Sequence, residues 1–128
     1  MKQNKRRTAF ILAAGLGTRL KELTSDRPKA MVEMNGKPLL EYVIDKLISQ
    51  NFNHFVINIH HLGDKIIDFV NNKNYKDVVI EISDERENLY LTGGAILKAL
   101  PYFAESKVVL IHNVDILSNL QINALWTY

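Results

Sequence analysis

Near the start of the chain, the run Leu12-Ala13-Ala14-Gly15-Leu16-Gly17-Thr18-Arg19-Leu20 concentrates residues suited to holding phosphate. Ala13, Ala14, Gly15 and Gly17 are small, so a ligand can approach the backbone closely and the amides can point at its oxygens. Arg19 adds a planar, permanently positive fork for the same oxygens. A second cation follows in Asp26-Arg27-Pro28-Lys29-Ala30-Met31. There proline fixes the backbone ahead of Lys29 and biases Arg27 toward an extended shape. Two familiar glycine loops do not fit. The dinucleotide fingerprint wants a third glycine where Leu20 stands, and the Gly-Lys-Ser/Thr of a P-loop is missing.

Two later segments could complete such a site. In Thr92-Gly93-Gly94-Ala95-Ile96, glycines at a helix start would let a flat ligand lie against the backbone, with free amides attracting anions. A close-packed turn would use the same glycines. The charged loop before it, residues 83–88, reads as solvated and offers Glu87 or Asn88 as a base-reading side chain. In Ile111-His112-Asn113-Val114-Asp115, the aspartate can give hard oxygen ligands to Mg²⁺, which typically bridges carboxylates to phosphates. A capping aspartate would look the same. His60, His61 and His112 lack metal-ligand spacing, and no role is assigned to them.

The elements that must position these residues follow from periodicity. Four apolar runs read as strands, at Ala9–Leu12, Phe55–Ile59, Val78–Ile82 and Val108–Ile111. The first and last are continuous, which suits strands covered on both faces. Helical spacing appears over 38–50, with Leu40, Val43, Ile44, Leu47 and Ile48 on one side, over 62–72, and over 94–103 with Thr92 as a cap. A fourth helix is expected near Asn119. This alternation predicts an α/β fold, a doubly wound, mostly parallel sheet with helices on both faces. The first strand would then deliver the glycine run to the carboxyl edge, where open α/β sheets bind ligands. The long gap from 14 to 37 is functional by the same reasoning. Met31, Met34, Phe103 and Trp126 read as packing residues.

Composition sets the frame. The 128 residues are 47% hydrophobic and 23% charged, with a net charge of +2, an ordinary balance for one globular domain. No cysteine is present, which removes thiolate nucleophiles, disulfides and Cys-type zinc sites. No apolar run approaches the roughly 20 residues that span a bilayer, and the start does not resemble a signal peptide. Lys5-Arg6-Arg7 reads as a solvated tail, and the cytoplasm is the expected location.

Leu12–Leu20, Arg27-Pro28-Lys29-Ala30-Met31 and Gly36-Lys37-Pro38-Leu39-Leu40 together resemble the opening signature of the sugar-1-phosphate nucleotidyltransferases, in spacing and in order. The resemblance implies a Rossmann-like nucleotidyltransferase fold. It implies nucleotide binding by Ala13, Ala14, Gly15, Gly17, Thr18, Arg19, Lys29, Gly94 and Asn113, with Arg19 and Lys29 catalytic and Asp115 holding Mg²⁺. In the family, the segment like Asn113-Val114-Asp115 usually carries glycine where Val114 stands. The runs His60-His61-Leu62-Gly63 and Gly93–Leu100 resemble the short bacterial enzymes that activate N-acetylmuramate, mannose or heptose phosphates for cell-envelope carbohydrate. The expected partners are therefore a nucleoside triphosphate, UTP or GTP, and a sugar 1-phosphate. Nucleic acid and membrane are not among them, and exposed sheet edges leave room for a homo-oligomer. Family members carry a second metal-binding aspartate and most sugar contacts in a later half, so residues 1–128 are expected to form the nucleotide-binding part of an incomplete domain. The rival readings are a non-catalytic nucleotide-binding module and an NAD(P) oxidoreductase. Leu20, and His60-His61 in place of an acidic strand end, count against the latter.

Overall fold

The computed structural model describes residues 6–14, 26–88 and 90–114. The elements run β1 (Thr8–Leu12), β2 (Glu33–Met34), β3 (Lys37–Pro38), α1 (Leu39–Ser49), β4 (His54–Ile59), α2 (Asp64–Lys73), β5 (Val79–Asp84), α3 (Thr92–Ala99) and β6 (Val109–Asn113). β5, β4, β1 and β6 lie side by side in that order, all parallel.

Strand alternation assigns the faces. Ala9, Ile11, Phe55, Ile57 and Ile59 pack with Leu40, Val43, Ile44 and Leu47 of α1 and Ile66 of α2 in one cluster. Phe10 and Val56 point the other way, against Ala95 and Ala99 of α3. Helices thus cover both faces, as the alternating pattern predicts. Phe103 meets Phe10 edge-on with ring centroids 5.4 Å apart. Two-sided cover holds for β1 but not for β6, which lies at the edge among the described residues and leaves Ile111 44% exposed.

Local chemistry moves several boundaries. Leu62 lies outside α2 because its φ is 56°, a left-handed value no helix tolerates, and the helix starts at Asp64. Thr92 is the first residue of α3 rather than its cap, because the Leu91 carbonyl already accepts the Ala95 N–H at 2.8 Å. Pro101 lacks the N–H an α-helix needs, and α3 gives way at Leu100 to a 3₁₀ turn. Asn35-Gly36 forms the tight turn of a small antiparallel hairpin, β2 with β3, inside the stretch read as loop. Both residues have positive φ, 55° and 77°, as a primed hairpin turn requires. Met34 is 43% exposed there and not a packing residue. Arg7 is no solvated tail either. Its backbone N–H donates to Asn53 Oδ1 at 2.8 Å, and its guanidinium lies over the Phe52 ring. Trp126 and the expected helix near Asn119 lie outside the described residues. Among those residues, no helix is long and apolar enough to cross a membrane.

Gly63 shows how tightly β4 and α2 are joined. A Cβ there would stand 2.9 Å from Cβ and Cδ1 of the fully buried Ile59. Gly63→Ala is therefore expected to cost about 1–3 kcal/mol through forced overpacking, read as a lower denaturant midpoint. An unchanged midpoint would show that Ile59 can yield.

Candidate nucleotide site

The strand order reverses between β1 and β6, the kind of switch point where doubly wound sheets open a crevice at their carboxyl edge. Leu12 stands opposite Asn113, and the ladder continues one step further as the Val114 N–H donates to the Leu12 carbonyl at 3.3 Å. The chain therefore leaves β1 and β6 side by side, immediately before Gly15 and Asp115. Val114 is fully buried and is not among the residues with positive φ, so the backbone does not need glycine there.

Of the residues expected to bind phosphate, Ala13 and Ala14 are described, and both are buried. Their N–H groups, read in the sequence as free to point at phosphate, instead converge on one acceptor, Oδ1 of Asn58, at 2.6 and 3.0 Å. Gly15, Gly17, Thr18, Arg19 and Asp115 lie outside the described residues. Lys29 opens a 3₁₀ turn, Lys29–Met31, after an extended Pro28 with φ −71° and ψ 160°. The turn is anchored by Ala30, fully buried in the same cluster as Ala13 and Val114. One packed core thus supports the neighbours of three expected site residues: Ala14, Lys29 and Asn113.

Just past the end of β5, a cavity of about 330 Å³ is lined by Glu87, Asn88, Arg86, Tyr90 and Lys98 among others. Both candidate base readers border it. Arg86 bonds Asp84 and Asp64, and its hydrogen bond holds the Asp84 carboxyl below the usual carboxylate range. The two glycines of α3 differ in their surroundings. A Cβ on Gly94 would come within 3.1 Å of Tyr90, whereas one on Gly93 would meet open space. Packing therefore accounts for part of the need for glycine at 94, and Gly93 is the one with room beside it.

At the end of β6, Asn113 is exposed. Its carbonyl bonds His112 Nδ1 at 2.6 Å, and burial lowers the His112 pKa below the usual histidine range. The sequence reading missed Asn58, which is buried, and placed Ser83 and Glu85 in a solvated loop, whereas both are buried. The available signal was a polar residue interrupting the apolar run of β4, since buried polar groups carry more information than exposed apolar ones.

Residues 8–127 match the nucleotidyl transferase family. The N-acetylmuramate alpha-1-phosphate uridylyltransferase of Caulobacter vibrioides is 40% identical over 109 residues, 84% of this chain and 45% of the relative. The D-glycero-alpha-D-manno-heptose 1-phosphate guanylyltransferase of Campylobacter jejuni is 34% identical, over 80% of this chain and 45% of its own. HddC from Yersinia pseudotuberculosis, solved in complex with GMP-PN, superposes with a TM-score of 0.81 at 35% identity, over 94% of this chain and 52% of that one. The chain spans about half the length of these relatives. With the motif order of its first forty residues, the parallel sheet that carries them and a family match over nearly its whole length, the chain belongs to the nucleotidyl transferase family.

Proposed function

We propose that the chain forms the nucleotide-binding half of a sugar-1-phosphate nucleotidyltransferase, with UTP as nucleotide and N-acetylmuramate 1-phosphate as the first acceptor to test. The observation that carries this reading is the switch point itself, where β1 and β6 end side by side in a parallel sheet. The 40% identity to a uridylyltransferase supports the choice of base and sugar. GTP is the second candidate, on the 34% identity to a guanylyltransferase. A cytoplasmic setting and a place in cell-envelope carbohydrate synthesis go with the reading.

In the proposed reaction, an oxygen of the sugar phosphate attacks the α-phosphorus and pyrophosphate leaves. That oxygen is already anionic at neutral pH, so no general base is needed, and catalysis rests on alignment and charge neutralisation. Arg19 would steady the leaving pyrophosphate, and Lys29 the α-phosphate and incoming phosphate. Mg²⁺ is generally held by one or two carboxylates together with phosphate oxygens. Val114, pinned beside Leu12, brings the chain to the switch point one residue before Asp115, which suits that aspartate to hold such an ion. Bound there, the metal would neutralise phosphate charge.

Pyrophosphate release across four nucleoside triphosphates and a panel of sugar 1-phosphates, measured on a protein that carries both halves of the domain, tests the proposal. Release with UTP and N-acetylmuramate 1-phosphate is the expected result. Stabilisation by nucleotide without release from any pair would replace it with the non-catalytic module. Neither stabilisation nor release would end both readings.

A further inference from the structure

We propose that Asn58 and Glu85 are positioning residues that lock the stem of the phosphate turn to the loop on the base side, so that the two halves of the nucleotide site are set as one unit. The inference rests on the nucleotide-binding reading above.

Asn58 is 3% exposed and stands one residue before the carboxyl end of β4. Its Oδ1 accepts both loop-stem amides, while its Nδ2 donates to Glu85 Oε2 at 3.0 Å. Glu85, at 1% exposure, accepts the Tyr90 N–H on its other carboxylate oxygen at 3.3 Å. The Glu85 backbone is fixed as well. Its N–H donates to the Ile59 carbonyl at 2.9 Å, and its carbonyl bonds His60 Nδ1 at 2.7 Å. Tyr90 in turn packs where a side chain on Gly94 would stand. A continuous line of contacts thus runs from Ala13 and Ala14 through Asn58, Glu85 and Tyr90 to the start of α3.

The donor and acceptor inventory forces these residue types. Position 85 faces two N–H donors, one at each terminal atom, and must present an acceptor on both atoms, which a carboxylate does and an amide does not. Position 58 must accept toward the turn and donate toward 85. Glu85 therefore decides which end of the Asn58 amide faces the turn. Reversed, an NH₂ would confront two N–H groups, leaving buried donors unsatisfied. Burying a carboxylate with neutral partners is costly, and the three backbone N–H groups it helps to satisfy are what offsets that cost.

Four versions of the full chain separate the possibilities: wild type, Asn58→Asp, Glu85→Gln, and the double variant. Asn58→Asp sets two carboxylates against each other. Glu85→Gln leaves one donor unmatched. In the double variant, the carboxylate now at position 58 can accept from Ala13, Ala14 and the side-chain NH₂ at position 85. The amide oxygen at position 85 accepts from Tyr90, so every donor is matched again. Hydrogen exchange at the Ala13, Ala14 and Tyr90 amides should speed up by about 10-fold or more in each single variant. UTP affinity, measured calorimetrically with Mg²⁺, should fall by about 10-fold, and the double variant should recover both to within about 3-fold of wild type.

Unchanged exchange at Ala13 and Ala14 in Glu85→Gln overturns the proposal, as does a double variant no better than the worse single one. Exchange that responds while UTP affinity stays constant in all four reduces the pair to a structural brace and also overturns it. Should Asn58→Asp fail to fold, Glu85→Gln and the double variant still decide. A wild-type chain that protects these amides but binds neither UTP nor GTP overturns the nucleotide-binding reading, and the exchange pattern alone then judges the lock.

Discussion

Lys29→Met is expected to slow pyrophosphate release by about 10²–10³-fold, the loss typical when a preorganised donor is removed from a site where negative charge builds in the transition state. Stability should move by no more than about 1 kcal/mol, the most that a polar contact of a partly exposed side chain contributes. The reason lies in how the turn is held. Ala30 is fully buried, the Met31 N–H donates to the Pro28 carbonyl at 2.9 Å, and the Val32 N–H donates to the Lys29 carbonyl at 3.1 Å. These supports are packing and backbone bonds, which a methionine of similar length leaves in place. If Lys29 acts on the reacting phosphates, kcat should fall more than the KM for UTP rises, because the lost interaction belongs to the transition state. A rate within about threefold of wild type would take Lys29 out of the chemistry.

The sequence discloses the elements of this fold better than their contacts. Continuous apolar runs and i, i+3, i+4 spacing locate β1, β4, β5, β6 and the three helices, because burial imposes those periods directly. The strand order β5-β4-β1-β6 is a different matter. Alternation of strands and helices is compatible with several orders, and only the order shows that β1 and β6 end side by side at the carboxyl edge. The hairpin at Asn35-Gly36 was legible in principle, since that dipeptide is a strong turn signal. It is hidden by flanking strands of two residues each, too short to show a period. Within the site, small residues and prolines announce Ala13, Ala14 and Lys29. Asn58 and Glu85 do not announce themselves, because hydrogen-bond partners 27 residues apart leave no spacing pattern.

The same blindness hides His54, whose replacement by alanine should be among the most damaging changes to folding and yet leave nucleotide binding intact. His54 is fully buried, with Nδ1 2.8 Å from Thr8 Oγ1 and Nε2 2.7 Å from Glu81 Oε2, and Thr8 also bonds Ser106. An acid, an imidazole and a hydroxyl in line have the outline of a nucleophilic relay. Position argues otherwise. Thr8 is wholly buried and lies at the amino end of β1, opposite the carboxyl edge of the sheet. The network instead ties β1, β4, β5 and the segment ahead of β6 into one register. His54→Ala removes a large buried group and two hydrogen bonds, a loss of about 2–4 kcal/mol. The figure stays below the cost of a stranded charge, because Thr8 keeps Ser106 and the Glu81 side chain, 38% exposed, can turn to water. A lower urea midpoint with an unchanged slope would report that loss as stability alone. Well below the melting temperature, UTP affinity should remain within about threefold of wild type, since the lost contacts and the nucleotide share no partner. Lys29→Met shows the reverse pattern, a lost rate at constant stability. If His54→Ala instead lost turnover while keeping its midpoint, the relay would belong to the chemistry and the carboxyl-edge site would not account for the reaction by itself.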